Sequence, residues 1–301
     1  MKIERFKADL FLLVVAVVWG SAFVAQRVAA ENIGVFLFNG LRFLLGALIL
    51  LPLTRRRGSN ALSLGRLSRK QFLGIILLGS LLFTAAAFQQ FGLQFTTAGN
   101  AGFVTGLYVV LIPLMLALGW HQPSRPSIWI ASFLAVIGLF FLSTGGSLSI
   151  NSGDLFELAG AFVWAFHVIL IGKLVQYIDV PRLAVGQYLV CGVINLAVSL
   201  SIEANSLGSV AVVWWTVVYT GLFSIGLGYT LQAVAQKVAP PADAAIILSM
   251  EAVFAAFFGW LLLGERLSVL QLLGCGLILF GMLLAQAPVL AQARAEKPEV
   301  L

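Results

Sequence analysis

Long apolar stretches dominate the chain, and short polar connections separate them. A helix that crosses a lipid bilayer needs about 20 mainly apolar residues. Ten stretches meet this requirement, and their approximate ranges are 9–28, 33–53, 71–94, 99–119, 127–145, 153–175, 181–202, 209–235, 242–263 and 268–286. We therefore predict an all-α integral membrane protein with ten transmembrane helices, numbered here as spans 1 to 10.

The composition supports a membrane environment. Of the 301 residues, 60% are hydrophobic and only 10% are charged, whereas soluble domains carry about 25% charged residues. So few charged side chains cannot cover a soluble core, and the remaining surface must face lipid. The net charge of +6 would suggest nucleic-acid binding in a soluble protein. Here the basic residues lie mainly in the connections between spans, so we expect no nucleic-acid partner.

The basic residues are distributed unevenly between the two sides of the predicted bundle. If the N-terminus lies in the cytoplasm, all but three of the 18 Lys and Arg residues fall in cytoplasmic connections or tails. The exceptions are Arg27 and Arg266 on the outer side and Arg42 within span 2. Because cytoplasmic connections of membrane proteins are enriched in Lys and Arg, we expect both termini in the cytoplasm.

The two halves of the chain resemble each other at a nearly constant offset. The matched pairs are Trp19 and Trp164, Ala98 and Ala242, and Gly138 and Gly281, at offsets of 145, 144 and 143 residues. We therefore predict two five-span units, 1–145 and 146–288, followed by a cytoplasmic tail, 289–301. Five is odd, so the second unit enters the membrane from the opposite side. Such inverted repeats around a central cavity are typical of alternating-access transporters.

Two ionisable residues inside predicted spans are functional candidates. An ionised group at mid-bilayer costs at least about 2.5–3.5 kcal/mol, so it should face protein or water. Glu251, near the middle of span 9, could bind a proton or a cationic group of a substrate, or it could tie two helices together. Arg42 shares one face of span 2 with Asn39. It could hold a substrate carboxylate, pair with Glu31 or Glu251, or extend to the outer interface.

Span 6 carries a polar stripe on an otherwise apolar helix. Glu157, Gly160, Trp164 and His167 follow one another at helical spacing and share one face. This face could line a water-filled cavity, where His167 could exchange protons and Trp164 could stack on a cationic or aromatic group. The alternative for each is packing between helices. Pro113 is expected to interrupt span 4.

Short motifs give the chain a resemblance to a known family. They are Trp19-Gly20-Ser21 in span 1, Arg42-Phe43 in span 2, Thr96 to Ala101 before span 4, Ser249 to Phe254 in span 9, and Leu263 to Leu267 before span 10. With these motifs and its two five-span halves, nearly the whole chain resembles the EamA family of the drug/metabolite transporter superfamily. Ala252 stands where family members usually have a proline, which leaves a local kink of span 9 in question.

The resemblance implies two inverted five-helix repeats around a central cavity lined by spans 1, 3, 4, 6, 8 and 9. It further implies a bacterial cytoplasmic-membrane protein that exports amino acids or other metabolites, and it leaves the substrate, proton coupling and oligomeric state open. With the polar residues above, it gives eleven candidate cavity residues: Trp19, Asn39, Arg42, Gln90, Thr105, Tyr108, Trp164, His167, Gln232, Ser249 and Glu251.

The sequence favours a carrier of a small-molecule substrate in the lipid bilayer over three other classes of function, namely a passive channel, a sensor and an enzyme. The carrier's substrate could be an amino acid or a cationic aromatic compound. A passive channel would need a continuous pore, and a sensor would be expected to bring a soluble output domain. An enzyme is disfavoured because His121 and His167 are the only histidines, which excludes a multi-histidine metal site. Ser21 and His167 could act as a nucleophile and base only if spans 1 and 6 meet there. We expect no cofactor, no metal and no catalytic residue.

Overall fold

The computed structural model describes residues 2–55, 67–96, 98–146, 152–204, 207–264 and 266–295. Within these ranges the chain is helical and contains no strand. The helices are α1 (Lys2–Ala30), α2 (Val35–Arg55), α3 (Arg69–Phe95), α4 (Ala98–Gly106), α5 (Tyr108–Trp120), α6 (Pro126–Thr144), α7 (Ser152–Leu174), α8 (Val180–Ile202), α9 (Leu207–Tyr219), a π-helical segment (Thr220–Tyr229), α10 (Thr230–Ala235), α11 (Pro241–Leu248), α12 (Met250–Leu263) and α13 (Val269–Ala295).

Ten helical stretches of the described chain are long and apolar enough to cross a membrane. They coincide with the ten predicted spans, so the predicted all-α, ten-span fold is confirmed. Most boundaries differ by a few residues, and the largest differences lie at the two ends of the chain. The first helix begins at Lys2, and the last one runs on to Ala295.

Three spans are interrupted helices. Span 4 consists of α4 and α5, which are separated at Leu107, and span 9 consists of α11 and α12, which meet at Ser249. Span 8 consists of α9, the π-helical segment and α10. The break in span 9 occurs although Ala252 occupies the usual proline position. Irregular backbone inside a membrane is tolerated only where protein or a cavity satisfies its polar groups, so these interruptions mark the interior of the bundle.

The interruption of span 4 lies elsewhere than predicted. Pro113 is inside α5, which continues through it, and the break is at Leu107. A proline has no N–H to donate to the carbonyl four residues before it, which here is that of Val109. The hydroxyl of Ser132 on span 5 donates to this carbonyl over 3.0 Å. The freed acceptor is therefore satisfied from a neighbouring helix, and α5 stays intact.

Equivalent spans of the two halves make equivalent contacts, so the packing would be unchanged if each span were replaced by its counterpart in the other half. Span 2 packs on its counterpart span 7, and span 5 packs on its counterpart span 10. Spans 3 and 4 both pack on span 6, and their counterparts, spans 8 and 9, both pack on span 1. This is the arrangement expected of two related five-span units, whose inverted relation stays a prediction.

The contact between spans 5 and 10 depends on two glycines. A Cβ atom added to Gly274 would lie 2.5 Å from the carbonyl oxygen of Gly138 and 2.6 Å from the nitrogen of Leu142. Side chains do not fit at such distances, so the two backbones touch directly. Association of membrane helices relies on this kind of close approach, because lipid is as apolar as the helix surfaces.

We predict that Gly274→Ala lowers the unfolding temperature of the purified protein in detergent relative to Gly276→Ala. Both changes gain about 1 kcal/mol of helix propensity on the same helix. The added methyl group meets the backbone of span 5 at Gly274, whereas nothing lies within 4 Å of a Cβ at Gly276. Overpacking of this kind costs about 1–3 kcal/mol. Equal unfolding temperatures for the two variants would contradict the direct backbone contact.

Candidate functional site

A central cavity lies between the two halves of the bundle. The lining residues are Trp19, Phe23 and Gln26 of span 1, Arg42 of span 2, Gln89 of span 3, Thr105 and Tyr108 of span 4, Trp164, His167 and Val168 of span 6, Ser224, Tyr229 and Gln232 of span 8, and Leu248 and Glu251 of span 9. The spans implied by the family resemblance all contribute, and Arg42 adds span 2.

Eight of the eleven predicted site residues line this cavity. They are Trp19, Arg42, Thr105, Tyr108, Trp164, His167, Gln232 and Glu251. The other three, Asn39, Gln90 and Ser249, lie behind its wall. The amide of Asn39 bonds Arg42, that of Gln90 donates to the Gln26 carbonyl over 3.1 Å, and the Ser249 hydroxyl donates to the Ile246 carbonyl over 2.7 Å.

Arg42 is a buried cation with neutral partners. Its side chain is 3% exposed, and its Nη1 and Nε donate to Gln26 Oε1 over 2.8 Å and to Asn39 Oδ1 over 3.0 Å. The guanidinium carbon also lies 4.9 Å and 5.2 Å from the ring centroids of Phe38 and Phe43. Amide oxygens and ring faces offset part of the charge. The group therefore keeps the capacity to bind an anion in the cavity.

The predicted acidic partners of Arg42 are not found. Among the described residues, no carboxylate forms an ion pair with it, and Glu31 pairs instead with Arg27. Extension to the outer interface is also wrong, because the guanidinium is held by the amides of spans 1 and 2. A buried cation without a fixed counter-charge is costly, and no ion pair within the described residues offsets this cost for Arg42.

Glu251 faces the same cavity and is 5% exposed. The hydroxyl of Tyr108 donates to its Oε1 over 3.2 Å, and no basic side chain pairs with it in the described part of the chain. Span 1 holds this stretch of span 9 closely, since a Cβ on Gly20 would lie 2.7 Å from the Glu251 carbonyl oxygen. The cavity thus presents one guanidinium and one carboxyl group that do not neutralise each other.

An aromatic cluster forms the wall beside these groups. The ring of Tyr229 lies 4.6 Å from that of Trp19, and it stacks on Trp164 at 5.9 Å with an interplanar angle of 17°. The Trp19 indole donates to the Ser224 carbonyl over 3.1 Å, and a Cβ at Gly228 would lie 2.5 Å from that indole nitrogen. The π-helical segment therefore fits around Trp19 and directs Tyr229 into the cavity.

Several cavity-lining polar atoms are buried without a protein partner. Among the described residues these include both amide atoms of Gln232, Nε1 of Trp164 and Nδ1 of His167. The other ring nitrogen of His167 lies 2.9 Å from Gln187 Oε1. Buried polar groups in proteins are almost always paired, so unpaired ones at a cavity wall are available to a ligand or to water.

Sequence reasoning missed several lining residues, among them Phe23, Gln26, Gln89 and Tyr229. Gln26 is an amide within an apolar span, and this signal could have identified it. Tyr229 gave no such signal, because only the π-helical segment turns it inward. Ser21 and His167, which could act together only if spans 1 and 6 met there, bond other residues: the Ser21 hydroxyl lies 2.5 Å from the Tyr219 hydroxyl, and Nε2 of His167 lies 2.9 Å from Gln187 Oε1.

Polar contacts join the span ends on both sides of the cavity. On the predicted cytoplasmic side, Asp243 pairs with Arg125 and lies 3.7 Å from Arg5. On the predicted outer side, Arg27 donates to the carbonyls of Leu93 and Thr96. Two residues of the family motifs, Thr97 and Glu265, lie outside the described residues.

The comparisons with known proteins agree with this geometry. The model of the EamA-like transporter family matches residues 6–144 and 151–286, so the chain belongs to this family. It is therefore a multi-pass membrane transporter, a class of protein that binds a small-molecule substrate within a lipid bilayer.

Relatives in several microorganisms carry the same general description. An uncharacterized transporter of Archaeoglobus fulgidus is 29% identical over 95% of this chain and 88% of its own. The uncharacterized inner membrane transporter YedA of Escherichia coli is 26% identical over 91% of this chain and 88% of its own. The uncharacterized transporter YoaV of Bacillus subtilis is 24% identical over 91% and 95%, respectively.

A solved crystal structure shares the fold. It superposes with a TM-score of 0.79 at 19% identity, over 96% of this chain and 99% of the other. At this identity the likeness concerns the fold alone.

We predict that Asn39→Leu lowers the unfolding temperature more than Asn195→Leu does. Loss of the Asn39 amide leaves Arg42 Nε without its acceptor and removes the bond from span 2 to the Ala86 carbonyl of span 3. A buried group left unsatisfied costs about 1–3 kcal/mol. The Asn195 amide donates only to Cys191 of its own helix, so its removal should cost less. A larger loss in the Asn195 variant would argue against Asn39 as the support of Arg42.

Proposed function

We propose that the protein exports a zwitterionic amino acid, or a closely related polar metabolite, from a bacterial cell. The observation that carries this proposal is the presence of Arg42 and Glu251 in one cavity without a bond between them. An amino acid brings a carboxylate and an ammonium group on a single small frame. The carboxylate then meets the Arg42 guanidinium, and the ammonium group supplies the counter-charge with which Glu251 can be ionised. Neither the protein nor the substrate then keeps an unpaired charge.

Arg42 is suited to the carboxylate end of such a substrate. A guanidinium presents its N–H groups in a planar fork that matches a carboxylate, and such charge-assisted bonds are about twice as strong as neutral ones. Gln26 and Asn39 hold the guanidinium in place from behind. The site is thus organised before the substrate arrives.

Glu251 and the neutral wall are suited to the rest of the molecule. The carboxyl group of Glu251, supported by Tyr108, can accept hydrogen bonds from an ammonium group. The unpaired amide of Gln232 can bond a polar atom, and the rings around Tyr229 can cover an apolar side chain. Arg42 is the one Lys or Arg among the described residues that line the cavity, which argues against multiply phosphorylated substrates.

Alternating access between two inverted five-span units is the mechanism that we propose for transport. The exchange-related packing of the spans supports it, as does the double match of the family model at residues 6–144 and 151–286. In such carriers the site lies between the repeats and opens to one side at a time. The excess of Lys and Arg on one side supports cytoplasmic termini, and the inner-membrane relative YedA supports that membrane as the location.

A cationic aromatic compound is the second candidate substrate. The rings of Trp19, Tyr229 and Trp164 form a surface on which a flat cation can stack, and Glu251 opens onto the same cavity. Cation–π contacts contribute about 0.5–2 kcal/mol each, depending on desolvation. Such a compound leaves Arg42 without a partner, which is why the amino acid is preferred.

We predict saturable counterflow of zwitterionic amino acids in proteoliposomes. Vesicles are preloaded with unlabelled pooled amino acids, and the uptake of labelled ones is measured. Arg42→Gln and Glu251→Gln should each lower the rate at limiting substrate roughly tenfold to hundredfold, because a hydrogen bond to a charged group contributes about 1.5–3 kcal/mol. Glu31→Gln is the matched control, since this carboxylate is 60% exposed outside the cavity.

The outcomes of this experiment separate the candidate functions. Amino acid counterflow that persists in the Arg42 and Glu251 variants would contradict the assigned binding roles. Counterflow of labelled aromatic cations alone, lost in Glu251→Gln and retained in Arg42→Gln, would establish the second candidate. Flux that never saturates and shows no counterflow would establish a passive channel instead of a carrier.

We predict that a substrate identified in this way changes the intrinsic fluorescence of the purified protein. Trp164 lines the cavity and is 7% exposed, so its emission should respond to an occupant. Trp164→Phe should reduce the substrate-dependent change, and Trp19→Phe should reduce it as well, because both indoles line the cavity. Trp214→Phe should keep it, because Trp214 is 60% exposed on the outside of the bundle. A response that depends on Trp214 instead would place the substrate outside this cavity.

A further inference from the structure

A second buried carboxyl group lies next to the central cavity without lining it. Glu157, in the predicted outer part of span 6, has no solvent exposure. Its Oε2 accepts a hydrogen bond of 2.7 Å from the hydroxyl of Thr105, and Thr105 does line the cavity. Its Oε1 is buried and has no partner among the described residues. The mechanism proposed above makes no use of this group.

The neighbouring helix is shaped to receive this carboxyl group. A Cβ atom on Gly92 of span 3 would lie 2.7 Å from the Cδ and Cγ atoms of Glu157. At Gly153, one turn earlier on span 6, a Cβ would lie 2.7 Å from the Gly92 carbonyl oxygen. Two glycines thus bring spans 3 and 6 together at this point, and the acid occupies the space that a side chain at position 92 would fill.

No cation faces Glu157 from the elements packed around it. The ionisable residues of these elements within the described chain are Asp154, His167 and Lys173 on α7, Arg69 and Lys70 on α3, Tyr108 on α5, and Asp243 on α11, while α4 has none. Lys173 is sixteen residues further along α7, or roughly 24 Å at 1.5 Å per residue. The nearby Asp154 is itself acidic and is bonded to Thr96.

Arg27 of span 1 is the closest basic residue at this end of the bundle, but its contacts lead elsewhere. Its guanidinium donates to the carbonyls of Leu93 and Thr96 and pairs with Glu31 at 3.3 Å. An ionised carboxylate buried without a counter-charge is so unfavourable that such groups neutralise instead. Glu157 therefore carries a proton while it is enclosed as it is here.

We propose that Glu157 is a proton-binding site, and that it takes up a proton from the outer side and releases it to the cytoplasmic side in exchange for the exported substrate. The link is the break of span 4 at Leu107. Thr105 lies just before this break and bonds Glu157, and Tyr108 lies just after it and bonds Glu251. When the junction of α4 and α5 moves, both contacts change together. Opening towards the cytoplasm lets Glu157 release its proton there as H⁺, and opening towards the outer side lets it take up another, so protons enter as substrate leaves.

The coupling rests on the proposed export function, whereas proton binding by Glu157 does not. The first measurement is therefore made without substrate. Infrared difference spectra of the purified protein between acidic and alkaline pH record the carbonyl stretch of a protonated carboxylic acid, which an ionised carboxylate lacks. We expect Glu157→Gln to remove a carboxylic-acid band that the wild type and Glu31→Gln both show. An unchanged spectrum in Glu157→Gln would overturn the proposal.

The second measurement tests coupling in proteoliposomes with an imposed pH gradient. Exchange at equal pH moves no net proton, so Glu157→Gln should retain counterflow of the substrate. Its gradient-driven accumulation of substrate should fall at least tenfold. Thr105→Val should lose accumulation in the same way, and Thr105→Ser, which keeps the hydroxyl donor, should restore it.

Each result of the second measurement bears on one proposal. Full accumulation in Glu157→Gln, or accumulation driven by a sodium gradient and not by pH, would overturn the coupling. Net efflux of substrate from wild-type vesicles without any accompanying proton movement would overturn it as well, while the proposed export function would stand. Absence of counterflow for every amino acid would refute that function, and the infrared comparison would still decide whether Glu157 binds a proton.

Discussion

The structure depends on one constraint, which is that lipid offers no hydrogen-bond partner to a polar group. Regular helices satisfy this constraint along most of every span. The three interruptions, at Leu107, at Ser249 and in the π-helical segment, all lie in spans that line the central cavity. Irregular backbone and unpaired side chains thus occur together in the middle of the bundle. The polar side chains that line the cavity thus lie where neighbouring protein groups, and not lipid, surround them.

Close helix contact is the second requirement, and glycine provides it at three important points. Gly274 lets spans 5 and 10 touch, Gly20 brings span 1 to the backbone of Glu251, and Gly92 makes room for Glu157. The first contact joins the two halves at a distance from the cavity, and the other two position Glu251 on its wall and Glu157 beside it. In a medium that does not drive apolar surfaces together, such contacts determine how far the helices approach.

The sequence was informative about residue types that are energetically unfavourable in lipid. The spans follow from hydropathy, and Arg42 and Glu251 stand out because ionised groups are rare inside a bilayer. It was less informative about helix phase. Gln89 and Gln90 are adjacent, yet only Gln89 lines the cavity, and Tyr229 is turned inward by the π-helical segment. The break expected at Pro113 is not present, because a side chain of another span donates to the carbonyl that the proline leaves unbonded. The residue pattern of a single helix does not reveal such a partner.

The π-helical segment of span 8 has a consequence for how the cavity can change shape. A π turn closes its hydrogen bonds between residues five apart instead of four, so it holds extra chain within one turn. If one residue of Thr220–Tyr229 passed into regular α-helix, the residues on one side would rotate by about 100° relative to the other. Tyr229 and Gln232 would then leave the wall, and the site would lose an aromatic face and an amide in a single screw motion. Span 8 can therefore rotate one of its parts relative to the other by a π-to-α change, without unfolding either part.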